Sequence, residues 1–171
     1  MLVFAAGVVL VPLANAQQGA MPAGMSHEEH MKQMAKNAEM NKRGTLAMGF
    51  DQDKVNHNFK LATDGGSIQI SAKQTNDTTT RSQIREHLKM ISKDFANGVF
   101  TSPVATHGEV PPGVAGLREK KTQITYSYEE TPDGARVVIK TADASALASL
   151  HDFLRYQIRE HSTGDSLAVP K

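Results

Sequence analysis

Ile124-Thr125-Tyr126-Ser127-Tyr128-Glu129-Glu130-Thr131-Pro132-Asp133-Gly134-Ala135-Arg136-Val137-Val138-Ile139 decides the fold of this 171-residue chain. Ile124, Tyr126 and Tyr128 alternate with polar residues, Thr131-Pro132-Asp133-Gly134 is turn chemistry, and Val137 and Ile139 alternate in a β-branched run. Alternation on both sides of a Pro-Asp-Gly turn reads as a β-hairpin. Asp143 then caps a helix running to about His161. Leu147, Leu150, Leu154 and Ile158 share one face of it, and Thr163-Gly164 stops it.

The same order occurs upstream. His57-Asn58-Phe59-Lys60-Leu61 alternates, Thr63-Asp64-Gly65-Gly66 turns, and Ile68 and Ile70 alternate. A helix from about Thr78 to Asn97 follows, with Ile84, Leu88, Ile91 and Phe95 on one face and Asn97-Gly98 at its end. An offset of 69 superimposes the hairpins, Asp64-Gly65 on Asp133-Gly134 and Ile68 on Val137. An offset of 63 aligns Ile84, Ile91 and Phe95 with Leu147, Leu154 and Ile158. This predicts an α+β fold: a two-layer sandwich whose antiparallel sheet comes from two ββα repeats, with both helices on one face. The domain covers residues 45–168. Between the repeats lies a long connection, Val99 to Lys121, containing Pro103, His107-Gly108-Glu109 and Pro111-Pro112-Gly113. Long connections in compact domains often carry function.

Composition removes several classes of function. The net charge is +1, with 22% charged residues, so no general electrostatic case for nucleic-acid binding arises. There is no Cys, which excludes disulfides, thiolate metal sites and Cys nucleophiles. No run of eighteen or more apolar residues occurs, so no membrane span is expected after signal cleavage.

Leu2 to Leu13 are apolar or small and uncharged, and Ala14-Asn15-Ala16 follows. An apolar run ending in an A-x-A site is the pattern of a secretory signal peptide, residues 1–16, although no Lys or Arg precedes Lys32. The expected location is the periplasm or outside the cell.

Residues 17–44 read as a flexible Met/His-rich segment ending in a linker, Asn41-Lys42-Arg43-Gly44. Ser26 with Glu29 is a capping-box pattern, so a helix can start there. On it His27, His30, Met31 and Met34 fall at i, i+3, i+4 and i+7 and form one stripe. Met21 and Met25 precede it. Thioether sulfur suits Cu(I) and imidazole suits copper in either oxidation state. In an exported chain without Cys, such clustering is a rational copper-binding composition. The plainer alternative is a Met stripe that packs against the domain or a partner.

The chain has seven His against nine Phe and Tyr. His87 flanks the apolar face of the first helix, His107 sits in the long connection near Glu109, and His151 and His161 fall on the face of the second helix. His87, His107 and His151 are candidates for a second metal site if the helices pack side by side. For His151 and His161 the favoured reading is a core histidine with satisfied nitrogens. His57, at the start of the first strand, carries no assigned role.

Gly49-Phe50-Asp51-Gln52, His107-Gly108-Glu109-Val110-Pro111-Pro112-Gly113 and Phe153-Leu154-Arg155-Tyr156-Gln157-Ile158-Arg159-Glu160-His161-Ser162-Thr163-Gly164-Asp165 together resemble a family of small exported bacterial proteins of unassigned function. The likeness covers about residues 46–169 and implies export and fold rather than chemistry. Thr79-Thr80-Arg81-Ser82 resembles the phosphate-binding Ser-Thr-Arg-Thr of aspartate carbamoyltransferase. The chain is too short for that enzyme's two domains, and it lacks a parallel-strand pattern. The Met/His segment resembles the tails of periplasmic copper-handling proteins in composition.

The expectation is a non-enzymatic periplasmic protein that binds a metal ion, with copper first. Its partners are the ion and another periplasmic protein, with an edge strand that offers homodimer pairing. The alternative is a small-molecule or protein-binding module with the Met/His segment as a tether. No G-x-S-x-G, P-loop, H-E-x-x-H or paired-carboxylate motif supports catalysis.

Overall fold

Both hairpins form in the register their alternation demands. In a computed structural model describing residues 24–171, β1 (Val55–Ala62) pairs antiparallel with β2 (Gly65–Ala72). Likewise β3 (Ile124–Thr131) pairs with β4 (Gly134–Thr141). The hairpins join through their second strands, giving the order β1-β2-β4-β3. At the centre Ile68 faces Val137, its own equivalent in the other repeat. The sheet thus has an approximate two-fold axis between β2 and β4.

One face of this sheet is apolar because strand residues alternate. Val55, Phe59 and Leu61 of β1, Ile68 and Ile70 of β2, Ile124 of β3 and Val137 and Ile139 of β4 are all buried there. Onto that face pack α2 (Thr78–Ala96) and α5 (Ala144–Glu160), as the repeat predicts. Asp77 and Asp143 cap them, accepting from the backbone N–H groups of Thr80 and of Ser145 and Ala146.

The helical offset is 66, not 63. It aligns the caps Asp77 and Asp143 and six buried pairs, among them Ile84 with Leu150 and Leu88 with Leu154. Leu147, expected on the buried face, is only half-buried. Near-integral turns make a three-residue slip hard to detect from apolar spacing alone, whereas a cap occurs once per helix.

The long connection contains two short helices, α3 (Thr101–His107) and α4 (Val114–Glu119). Gly113 opens α4 with φ +83, and a Cβ there would collide with the Ser149 carbonyl of α5. Glycine is required both for the backbone and for the close approach.

The linker expected at Asn41–Gly44 is instead part of a helix, α1 (His27–Met48), which ends at Gly49 with φ 80. Most residues from 27 to 48 tolerate helix well, and Gly44 is buried where a Cβ would meet Gln52 and Thr106. Its place in the helix is set by packing on α3 rather than by chain freedom. Arg43 adds a cation at the C-terminus of α3, with Nε donating to Thr106 O at 3.0 Å. The capping box is formed as read: Glu29 N–H donates to Ser26 Oγ, and Ser26 N–H to Glu29 Oε2. Among the described residues no helix is long and apolar enough to cross a membrane. The signal-peptide reading and Met21 lie outside the described residues.

A candidate histidine site

Strand parity turns His57 inward with Phe59 and Leu61. It therefore lies under the helices, at the end of the sheet where α5 finishes. His161 is the C-cap of α5, three residues beyond the buried Ile158 on the same stripe. The two imidazoles stack with centroids 4.7 Å apart. His107, at the end of α3, meets His161 edge-on at 5.2 Å. His87 of α2 is 6% exposed and lies edge-on to Phe50 at 5.6 Å. All four line one cavity of about 50 Å³, together with Met48 and Gln157. Most of the remaining wall is apolar, and among the described residues no carboxylate lines it. About 10–15 Å³ of such space holds one water, so the cavity takes a few small atoms or an ion with its ligands.

His161 is held by an unusual helix end. Ser162 N–H donates to Arg159 O and Thr163 N–H to Ile158 O, which is the Schellman arrangement. The left-handed position falls on Ser162, with φ 50, where glycine is usual. The chain then returns along β1. Asp165 accepts the Phe59 N–H at 2.8 Å and the Thr163 hydroxyl at 2.7 Å. Because β1 is an edge strand, that N–H has no strand partner. The Ser162-Thr163-Gly164-Asp165 turn thus ties the end of α5 over β1 and keeps His161 on His57.

The rings are poised as neutral bases. Burial pushes His57 down to about 4, assisted by His87 and Lys73. Burial alone pushes His87 down to about 4. His161 is held well below its ordinary value by burial and then by His57 and His107. His107 is lowered by burial, against the opposing pull of the Gln157 bond, Glu160 and Glu109. Its Nε2 lies 3.0 Å from Gln157 Oε1, so the assigned tautomer donates there and leaves Nδ1 as an acceptor. His57 Nε2, His87 Nδ1, His107 Nδ1 and Gln157 Nε2 are all buried without a partner among the described residues. So many orphaned polar atoms around one cavity is unusual. Among the described residues, no three His, Asp or Glu side chains stand ready to hold a metal ion as they are now turned.

The residues read from the sequence separate clearly. His87 and His107 reach the cavity. His151 does not: its Nε2 lies 3.0 Å from both Ala62 O and Gly65 O, clamping the β1–β2 turn. That turn is five residues along β1 from His57, about 16 Å at strand rise. The shared His87–His107–His151 site is therefore not formed, because α5 crosses the sheet with His151 at the turn end and His161 at the opposite end. Glu109 does not bond His107; it accepts the Tyr156 hydroxyl at 2.6 Å. On α1, Met31 and Met34 are exposed, His27 is exposed, His30 is half-buried, and Met25 is half-buried just before the helix. Sequence reading assigned no site role to His57, His161 or Met48. Parity and stripe position place both His inward, but nothing local shows that residues 57 and 161 meet.

The chain matches no family model, no curated protein and no solved structure in the comparisons made.

Proposed function

We propose that this chain is an exported, non-enzymatic binding protein for a transition-metal ion, copper first, held in the histidine cavity. One observation carries the reading: neutral imidazoles on four different elements line one cavity, and three of them have buried nitrogens without partners among the described residues. Metal ligation needs deprotonated His, and here burial supplies it at neutral pH. The Met48 thioether at the same cavity favours a soft ion such as Cu(I). Ring centroids 4.7 and 5.2 Å apart leave a short adjustment, since metal–nitrogen bonds are about 2 Å. Rotation of His57, His161 and His107 about their side-chain bonds would close the set on an ion.

The exposed Met31 and Met34, with His27 and His30, form the outer capture surface. The test is Cu(I) competition against a chromophoric chelator, using the whole chain and its His57→Ala and His161→Ala forms. Tight binding that both substitutions weaken by at least tenfold supports the reading. Equal affinity in all three proteins overturns it. A second reading is favoured by the apolar wall: a binding module for a small uncharged ligand with one or two hydrogen-bonding atoms. Ligand-induced shifts of the His57 and His87 ring resonances without any metal would favour it.

A further inference from the structure

The two edges of the sheet end differently. On β1 the outward N–H of Phe59 is taken by Asp165, and the segment through Pro170 lines a groove with Phe59 and Leu61. In the other repeat the hairpin offset carries Phe59 to Tyr128, and the helical offset carries Asp165 to Val99. Val99 offers no side-chain acceptor, and the chain there turns into α3. Among the described residues β3 therefore lacks the cover that the same scaffold gives β1.

Strand parity shows which groups are left over. Thr141 N–H donates to Asp64 O at 3.1 Å, so Thr141 turns away from β3, and its partner Ile124 turns its backbone outward. Tyr126, Tyr128 and Glu130 follow by alternation. Ile124 N–H is taken by Lys121 O, but among the described residues nothing bonds the N–H of Tyr126, Tyr128 or Glu130. The usual guards of an edge are missing: β3 has no Pro, no Lys and no bulge.

Charge decides what fits this edge. Lys121 is exposed just before β3, and Asp133 is half-buried in the turn after it. Among the described residues neither has an ion-pair partner, whereas Glu129 holds Arg136 and Glu130 holds Arg85. A second β3 laid antiparallel about a two-fold axis at Ser127 sets Lys121 of each copy level with Asp133 of the other. In that register Tyr126 of one copy and Tyr128 of the other exchange main-chain bonds, and Glu130 N–H reaches Ile124 O. Parallel pairing in register would set Lys121 on Lys121.

We propose that β3 pairs antiparallel with β3 of a second copy about Ser127, so that one sheet runs through a homodimer. His57 lies on β1, at the opposite edge, so this interface is independent of the metal reading. Ser127 is exposed on the helix-free face, and on the axis its two copies form a non-hydrogen-bonded pair with Cα atoms about 4.5 Å apart.

Sedimentation equilibrium of the whole chain, of Ser127→Lys, of Ser127→Glu and of their equimolar mixture tests this, with urea midpoints as the check on folding. The unaltered chain is expected to be a dimer. Each variant should dimerise about fivefold more weakly, because like charges then face each other, and the mixture should recover the lost affinity. Ser127→Cys supplies a second measure, since the chain has no other thiol and this spacing suits a disulfide. Oxidation should join two copies through it, and should not do so in Ser67→Cys, which lies level with Ser127 on an inner strand. A chain that is monomeric at every concentration overturns the proposal. So does a dimer that both charged variants leave unweakened, a mixture no tighter than either variant alone, or equal cross-linking of the two Cys forms.

Discussion

His57 and His161 occupy, in one half of the fold, the positions that Tyr126 and Phe95 occupy in the other. The hairpin offset carries His57 to Tyr126 and the helical offset carries Phe95 to His161. Tyr126 and Phe95 meet edge-on at 5.9 Å, while the two His stack at 4.7 Å. The duplicated scaffold fills one pair of equivalent positions with an aromatic pair and the other with two stacked histidines that line the cavity. Asymmetry in an otherwise repeated core marks the place where packing has been given up, and buried polar groups without partners cost stability.

Restoring the symmetry should therefore stabilise the protein and abolish the site. His57→Tyr with His161→Phe is expected to raise stability by about 1 kcal/mol, since a desolvated imidazole gives way to an apolar ring at 161, while the hydroxyl introduced at 57 is buried as that of Tyr126 is and offsets the nitrogen it replaces. Urea unfolding measures the first effect and Cu(I) competition the second. A less stable double form would show that the histidines contribute packing that Tyr and Phe cannot reproduce there.

Acid should destabilise the metal-free protein before its carboxylates titrate. His57 and His87 sit at about 4 when folded against an ordinary 6.5, so between those values the unfolded chain binds more protons. Stability is then full above about pH 6.5 and is lost as pH falls toward 4. For His87, 6% exposed, the loss is roughly 3 kcal/mol at about 1.4 kcal/mol per pKa unit. The carboxyls of Asp64, Asp77 and Asp143, held below 3.8 by their hydrogen bonds, respond only at lower pH. Urea midpoints from pH 7 to 4 check this, and a flat profile in the unaltered chain, or an equally steep one in His87→Leu, contradicts it.

The turn after α5 holds strain that glycine would relieve. Ser162→Gly is expected to stabilise by about 1 kcal/mol because the left-handed region disfavours a Cβ. Ser162→Val should cost more than that. Asp165→Ala should leave the Phe59 N–H without its partner and cost about 1–3 kcal/mol. Faster hydrogen exchange at Phe59 together with weaker ion binding would show that this turn positions His161. Faster exchange without any change in binding would limit the turn to stability.

His151 gives the contrasting case. Its loss should release the β1–β2 turn, since His151→Ala leaves the Ala62 and Gly65 carbonyls unbonded at that point. A cost of about 1–3 kcal/mol is expected, with Cu(I) affinity unchanged. Thermal unfolding and the competition titration decide it together. Weakened affinity at unaltered stability would return His151 to the metal site.

Local chemistry was enough to place the two hairpins and the long helix that follows each of them. Alternation in 57–61 and 124–128 set both the strands and the face each residue shows, and the two Asp-Gly turns set the hairpin register. Ser26 with Glu29, and Asp143, announced helix starts because a cap is a contact between neighbours in sequence. Two expectations depended on distant partners: Asn41–Gly44 looked like a linker, although Gly44 packs on Thr106, and the shared His87–His107–His151 site required His151 to face the other two, whereas it bonds the carbonyls of Ala62 and Gly65 as the favoured core-histidine reading has it.

The sequence by itself determined that His57 and His161 point inward, that two ββα units repeat, and that Met and His cluster on one stripe of α1. These are consequences of periods of 2 and 3.6 residues, which a short window records in full. Only the tertiary structure decided that the hairpins join through β2 and β4, and that α5 crosses the sheet to end over β1. Burial of whole faces governs that choice, summed over residues far apart in the chain. A cavity built where four elements converge is therefore legible only after they have packed.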